Sequence, residues 1–115
     1  MPPKANPKKL NPLQLRTLTL LQELARDPEV TSTDTETGER TIGVLPEPHG
    51  DHFHLGPYVV MRSDATGLHN PAVMTALTRK GLVRRDPVFG ATILTADGLV
   101  YETGLRETIL QGSDH

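Results

Sequence analysis

The sequence predicts a small α+β domain, and its clearest signals are two helix starts and one hairpin. Each helix start is an Asn-Pro pair, at Asn11-Pro12 and at Asn70-Pro71, since asparagine caps open backbone N–H groups and proline suits the first helical position. The second helix is expected to end near Gly81, because glycine favours the helix C-cap conformation. It is followed by RRDPVFGATIL, in which a Pro/Gly turn separates two β-prone runs. Helix and hairpin together indicate mixed α and β structure.

A single domain is expected from the 115-residue length. Residues 1–9 carry three lysines and three prolines with almost no apolar side chain, so a disordered basic tail is predicted there. Residues 111–115 are expected to fray. The domain is therefore predicted over residues 10–110.

The individual elements follow in chain order. Leucines recur at three- and four-residue spacing behind Pro12, which predicts a helix up to the Asp27-Pro28 stop. The polar run TSTDTETGE is expected to be a loop, and RTIGVL with HFHLG, on either side of PEPHGD, predicts an extra β-hairpin. Helices are predicted over 12–26, 57–65, 70–80 and 96–103, and paired strands over 82–85 and 91–95.

This order of elements fits a small winged helix-turn-helix domain with an extra β-hairpin between helix one and helix two. TGLHNPAVMTALTRKGLV, followed by RRD and then by ILTADGLVYE, resembles the winged helix-turn-helix of MarR-like bacterial transcriptional regulators. The resemblance covers residues 57–103. The chain departs from the pattern between its two Gly-Leu pairs, where HNPAVMTALTRK makes the recognition helix about one turn, or about 5 Å, shorter than is usual.

The resemblance implies that the chain binds double-stranded DNA and acts in transcription regulation. The start and outer face of the recognition helix would meet base edges, while the helix end and the wing would contact phosphates. The implied DNA-binding residues are His69, Asn70, Thr75, Thr78 and Arg79 for base edges or the adjacent backbone, and Lys80, Arg84 and Arg85 for the phosphates.

A second interpretation of the same residues stays open. Basic side chains at the C-terminal end of a helix interact favourably with the helix dipole, and exposed arginines in a wing can simply be solvated. The winged helix would then be a protein–protein interaction module without DNA binding. A homodimer is a further possible assembly.

Charge alternates along the chain, although the formal net charge is only −2. Residues 1–22 carry +4 and residues 52–95 carry +3, whereas residues 23–51 carry −6 and residues 96–115 carry −3. A positive surface that joined the N-terminal lysines to the basic wing would favour DNA as the partner. An acidic segment folded over that surface would favour a protein partner.

The segment HGDHFHLG is a candidate metal site. On an extended strand, His52 and His54 share one face, and His49 and Asp51 lie close to them in sequence. Imidazoles with a carboxylate can bind Zn²⁺ or another transition metal, which makes His49, His52 and His54 the candidate ligands. The alternatives are a solvated polar face of a hairpin and a pH-sensitive loop.

Enzymatic activity is not expected. The sequence has no cysteine, and it contains no nucleophile elbow, phosphate-binding glycine loop or recognisably spaced pair of catalytic acids. No apolar run reaches the ~20 residues of a membrane helix, and no signal-peptide pattern opens the chain. We therefore expect a cytoplasmic protein that does not contact membranes and has no cofactor apart from the candidate metal.

Overall fold

Helix α1 (Pro12–Leu24) begins at a capping box formed by Asn11 and Gln14. The Asn11 Oδ1 atom accepts a hydrogen bond from the Gln14 backbone N–H at 2.8 Å, and the Gln14 Oε1 atom accepts one from the Asn11 N–H at 3.0 Å. This exchange satisfies two backbone donors that the helix itself leaves open. The Asn-Pro signal thus marks the start of α1 as predicted.

The structure is a computed structural model that describes residues 6–43, 45, 50–55, 58–109 and 111–112. Three further α-helices in this part of the chain are α2 (Pro71–Arg79), α3 (Ala96–Val100) and α4 (Arg106–Ile109). Two 3-10 helices, Arg62–Asp64 and Thr66–His69, precede α2.

The strands form two antiparallel sheets, each assembled from distant parts of the chain. The larger sheet has the order β1-β2-β6-β5, with strands β1 (Thr31–Thr33), β2 (Arg40–Ile42), β5 (Val83–Arg85) and β6 (Thr92–Leu94). The smaller sheet has the order β3-β4-β7, with strands β3 (His52–Leu55), β4 (Tyr58–Met61) and β7 (Gln111–Gly112).

The fold class and several elements are confirmed. The chain is a small α+β domain, and α1 and α2 lie within the predicted ranges 12–26 and 70–80. The hairpin predicted over 82–85 and 91–95 is present as the antiparallel pair β5–β6. Helix α3 ends at Val100 and does not extend to residue 103 as predicted.

The predicted extra hairpin, in which RTIGVL would pair with HFHLG, is wrong. Strand β2, from RTIGVL, pairs with β1 and with β6, while β3, from HFHLG, pairs with β4. Strand β1 comes from TST, within the run that was expected to be a loop. A polar strand such as TST forms because its neighbour β2 supplies backbone partners, which local propensity does not reveal.

The helix predicted over 57–65 is also wrong. Tyr58–Met61 is strand β4, and among the described residues 58–65 only Arg62–Asp64 is helical. The two central valines disfavour a helix because their branched Cβ atoms restrict χ1, and they suit a strand. Val60 is fully buried opposite Phe53 of β3, so pairing and burial both favour the strand.

Both predicted tails are in part bonded to the domain. In the segment expected to be disordered, the Asn6 side chain exchanges hydrogen bonds with the Leu10 backbone, and the Lys8 N–H donates to the Tyr101 hydroxyl at 3.1 Å. At the other end, Gln111–Gly112 pairs with β4. The packed chain therefore includes residues on both sides of the predicted range 10–110.

Helix α1 is the centre of the aliphatic core. Leu18, Leu20 and Leu21 are completely buried, and α1 packs on α2 and on the second 3-10 helix. The second 3-10 helix lies very close to α1 at Gly67, where an added Cβ would be 1.9 Å from the Thr17 Oγ1 atom. Burial of these leucines at about 25 cal/mol per Å² supplies most of the driving force for this packing.

Among the described residues, no helix combines the length and the apolarity that crossing a bilayer requires.

Candidate nucleic-acid interface

A cleft of about 320 Å³ lies between the exposed face of α2 and the β5–β6 hairpin. Helix α2 supplies one wall and the two strands supply the other, so the cleft is built from two elements that are adjacent in the chain. Its lining combines hydroxyl groups with three arginines. The lining residues are Pro71, Met74, Thr75, Thr78, Arg79, Val83, Arg84, Arg85 and Thr92.

The amphipathic pattern of α2 orients this helix. Val73 and Leu77 are buried against the core, and residues one or two positions further along therefore point away from it. Thr75 and Thr78 are exposed on that outer side, although the Thr78 hydroxyl donates to the Met74 carbonyl at 2.8 Å. The helix thus presents small polar side chains to the cleft.

The turn after α2 depends on Gly81, whose φ of 76° lies in the left-handed region that glycine adopts at no steric cost. The chain then enters β5, where Val83 is buried and Arg84 and Arg85 are exposed. Arg85 is paired in register with Thr92 of β6, and both line the cleft.

Five of the eight residues implied by the resemblance line this cleft. They are Thr75, Thr78, Arg79, Arg84 and Arg85. The remaining three, His69, Asn70 and Lys80, are not among its lining residues.

Asn70 and Lys80 have structural contacts at the two ends of α2. The Asn70 Oδ1 atom accepts a hydrogen bond from the Ala72 N–H at 3.0 Å and caps the helix. The Lys80 Nζ atom donates to the Lys8 carbonyl at 2.5 Å. This second bond holds the N-terminal basic segment beside the last turn of α2, and so joins it to the basic side of the cleft.

An acidic residue missed by the sequence interpretation contacts Arg84, one of the residues that line the cleft. Glu39, just before β2, accepts hydrogen bonds from Arg84 Nε at 2.9 Å and from Arg84 Nη2 at 2.6 Å. The hydrogen bond from Arg84 lowers the pKa of the Glu39 carboxyl group, and the same bond raises the pKa of Arg84. One of the three cleft arginines is therefore already bound to a carboxylate.

The register of the larger sheet explains how Glu39 and Arg84, which are 45 positions apart, come into contact. Thr41 of β2, Ile93 of β6 and Arg84 of β5 are consecutive cross-strand partners, so their side chains lie on one face of the sheet. Glu39 is two residues before Thr41 and therefore points to the same face. Ile93 is only 6% exposed, as expected if the Glu39–Arg84 pair lies over it.

The histidine segment is only partly within the described residues. His52 and His54 lie on the same face of β3, as predicted, with their Nε2 atoms 3.1 Å apart, and Asp51 Oδ1 lies 3.2 Å from His52 Nδ1. His49 lies outside the described residues. Within the described part, no three histidine, cysteine, aspartate or glutamate side chains come together as metal ligands would, so the metal site stays a prediction.

Two features of the cleft region could have been found in the sequence. The segments DTETG and DPVFG share the spacing of aspartate and glycine, which predicts two similar turns. The acidic residues of DTETG and the two arginines just before DPVFG have opposite charges, which suggests that the two hairpins attract each other. Their alignment depends on β2 pairing with β6, which the sequence interpretation did not predict.

No protein family, no curated protein and no solved structure shows a significant match to this chain.

Proposed function

We propose that this chain is a winged-helix protein that binds double-stranded DNA through the cleft between α2 and the β5–β6 hairpin, and that it acts in transcription regulation. The observation that carries the proposal is the convergence of Arg79 and Arg85 with the exposed Thr75 and Thr78 in the lining of one cleft. Arg84 also lines the cleft, but it follows Val83 and precedes Arg85 on β5, so its side chain points to the other face of the sheet, where it bonds Glu39. Guanidinium groups bind phosphates, and small hydroxyl side chains on a helix can approach base edges.

The length of α2 is compatible with this role. Nine residues span about 13 Å at 1.5 Å per residue, and the major groove is about 12 Å wide. A helix of this length can enter the groove by its side or its end, but it cannot follow the groove over a full turn of DNA. We therefore propose a short base contact from Thr75, with most of the affinity supplied by phosphates.

The free basic groups determine the phosphate contacts. Within the described part of the chain, Arg79 and Arg85 form no ion pair, whereas Arg84 is held by Glu39. Lys80 adds a third charge at the end of α2, and its ammonium group keeps donors for a phosphate beside its bond to the Lys8 carbonyl. Arg79, Lys80 and Arg85 are thus the primary phosphate ligands in this proposal, and Arg84 becomes available only when Glu39 releases it.

The contact between Glu39 and Arg84 also favours a second candidate function. An acidic hairpin that lies against the basic one lowers the positive potential of the cleft. The same surface could then serve as a protein–protein interaction module in which DNA has no part. The two candidates differ in one measurable property, which is affinity for duplex DNA.

The experiment compares Arg85→Ala with Arg62→Ala in a fluorescence anisotropy titration of a short labelled duplex. Arg62 is the matched control because it is exposed but lies outside the cleft. The proposal predicts that R85A weakens binding to every duplex and makes the log–log salt slope shallower by about 0.9, the value for one phosphate contact. R62A should change neither quantity. Equal affinity of R85A and the unchanged protein would contradict the proposal.

A further inference from the structure

The tips of the β1–β2 and β5–β6 hairpins are the same turn built twice. In each, the aspartate N–H donates to the carbonyl of the residue after the glycine at 2.9 Å, and the glycine N–H donates to the aspartate carbonyl at 2.8 Å. The Asp34 carboxylate accepts two further backbone N–H groups at 2.9 and 3.3 Å, and the Asp86 carboxylate accepts two at 2.8 and 3.3 Å. Gly38 and Gly90 both have a positive φ, of 80° and 72°.

The two tips differ only in the side chains that they present. The first tip carries Thr-Glu-Thr, and the second carries Pro-Val-Phe. Val88 is 76% exposed and Phe89 is 86% exposed. Because the first tip makes the same hydrogen bonds with polar residues, the turn itself does not require valine or phenylalanine. The two adjacent apolar side chains therefore do not serve the turn, and we treat them as a small exposed apolar patch that is available to a partner.

The surroundings of this tip indicate the chemistry of that partner. Arg84 and Arg85 are exposed on the strand that leads to the tip, and the cleft with Arg79 begins beside them. An apolar projection flanked by cations is complementary to a polyanion that has an apolar interior. A nucleic acid duplex has that combination, with phosphates outside and stacked bases inside.

We infer that Val88 and Phe89 form an apolar wedge that enters the minor groove of the bound duplex and partly unstacks one base step. This inference rests on the proposed DNA binding and adds a deformation of the DNA to it. Side chains such as phenylalanine can open a base step from the minor groove and kink the duplex. Arg85, which is exposed on the strand that leads to the tip, would hold an adjacent phosphate while the step opens.

The turn is well suited to this task because it is held in one conformation before binding. Four hydrogen bonds close it, and Pro87 restricts its own φ. An aromatic side chain on a rigid support loses little conformational freedom on insertion. A protein partner fits less well, since two projecting side chains cover far less than the ~800 Å² that each side of a stable protein interface buries.

The test uses Phe89→Thr, because threonine is the residue that the first tip carries at the equivalent position, Thr37. The turn should therefore survive the change. Val100→Thr is the matched control, since Val100 is an equally exposed apolar residue, at 80%, on α3. The duplex carries 2-aminopurine, whose fluorescence rises when a base is unstacked, and a dye at each end so that energy transfer reports bending.

The inference predicts that the unchanged protein raises the 2-aminopurine signal and shortens the end-to-end distance. F89T should lose both signals and bind about tenfold more weakly, as expected for the loss of one stacked aromatic side chain. Its salt slope should be unchanged, because no phosphate contact is removed. V100T should behave as the unchanged protein does.

The other outcomes overturn the inference in distinguishable ways. If F89T binds and unstacks DNA as well as the unchanged protein, the wedge is wrong while the proposed DNA binding stands. If the unchanged protein binds no duplex, the proposed function fails and the wedge fails with it. If sedimentation gives a smaller assembly for F89T than for the unchanged protein, the tip contacts a second copy of the chain and not DNA.

Discussion

Glu39 accepts two hydrogen bonds from Arg84, at 2.9 and 2.6 Å, and so places a carboxylate beside one of the arginines that line the candidate DNA cleft. The two residues are 45 positions apart and belong to different hairpins. A phosphate that takes these same two donors would have to displace Glu39. If the chain binds DNA as proposed, the acidic hairpin would therefore compete with DNA for one of the three arginines that line the cleft.

Replacing Glu39 by glutamine should strengthen DNA binding. The change removes the competing charge while keeping the size of the side chain, so Arg84 becomes available to a phosphate. We expect an affinity roughly fivefold higher, which is modest because exposed ion pairs are weak. The salt slope should become steeper by about 0.9, as measured by anisotropy.

Glu36→Gln is the control for this change. Glu36 lies on the same hairpin tip and carries the same charge, but within the described residues it forms no ion pair. If E36Q raised the affinity as much as E39Q, the effect would come from net charge and not from release of Arg84.

The same ion pair should make stability depend on pH in acid. Arg84 lowers the pKa of Glu39 from its ordinary value of 4.5, so the pair stabilises the folded chain fully above that value. This contribution is lost as the pH falls through the lower pKa of the folded state. The difference in melting temperature between the unchanged protein and E39Q should therefore shrink below pH 4.5. A difference that stayed constant from neutral pH to pH 3 would show that the pair does not titrate in this way.

Asn70 should matter more for stability than for recognition of DNA. Its Oδ1 atom caps α2 through the Ala72 N–H, so Asn70→Ala should lower the free energy of unfolding by about 1 kcal/mol. Asn70→Ser should retain most of that stability because serine also caps helices. Urea unfolding measures both variants, and equal stability of N70A and the unchanged protein would exclude a capping role.

Gly98 should tolerate no side chain. A Cβ there would lie 2.1 Å from the Leu82 carbonyl oxygen and 2.7 Å from Leu94 Cδ1, and a backbone carbonyl cannot move aside easily. Gly98→Ala should therefore destabilise the fold by about 3 kcal/mol. Gly43→Ala is the control, since its nearest neighbour, the Val30 carbonyl oxygen, would lie 3.6 Å away. Urea unfolding that gave the same stability for both variants would contradict the close packing of α3.

The elements that could be predicted are those whose ends carry their own signals. The Asn-Pro pairs fixed the starts of α1 and α2, and Gly81 fixed the exit from α2. Strand β4 was predicted as a helix because the Gly-Pro signal before it outweighed the evidence of its paired valines. The strand predicted in RTIGVL is present as β2, but its pairing with β1 and β6 was not predicted.

The candidate site could be predicted only where its residues are close in sequence. Thr75, Thr78 and Arg79 lie on one helix, and Arg85 follows within a few residues, so spacing alone brings them together. Glu39 reaches the site through the register of β2 against β6. No local pattern fixes that register, because it is set by burial of Ile42 and Leu94 on the core face.

The salt dependence of duplex binding by the unchanged protein tests the central claim most directly. With Arg84 held by Glu39, three cations remain, namely Arg79 and Arg85 in the lining of the cleft and Lys80 next to them at the end of α2. Three phosphate contacts at about 0.9 each predict a log–log slope near −2.7. Measurable affinity at ~50 mM salt that falls with this slope is the result we expect. No measurable affinity for any duplex at that salt concentration would contradict the DNA-binding function and would favour the protein–protein interaction module.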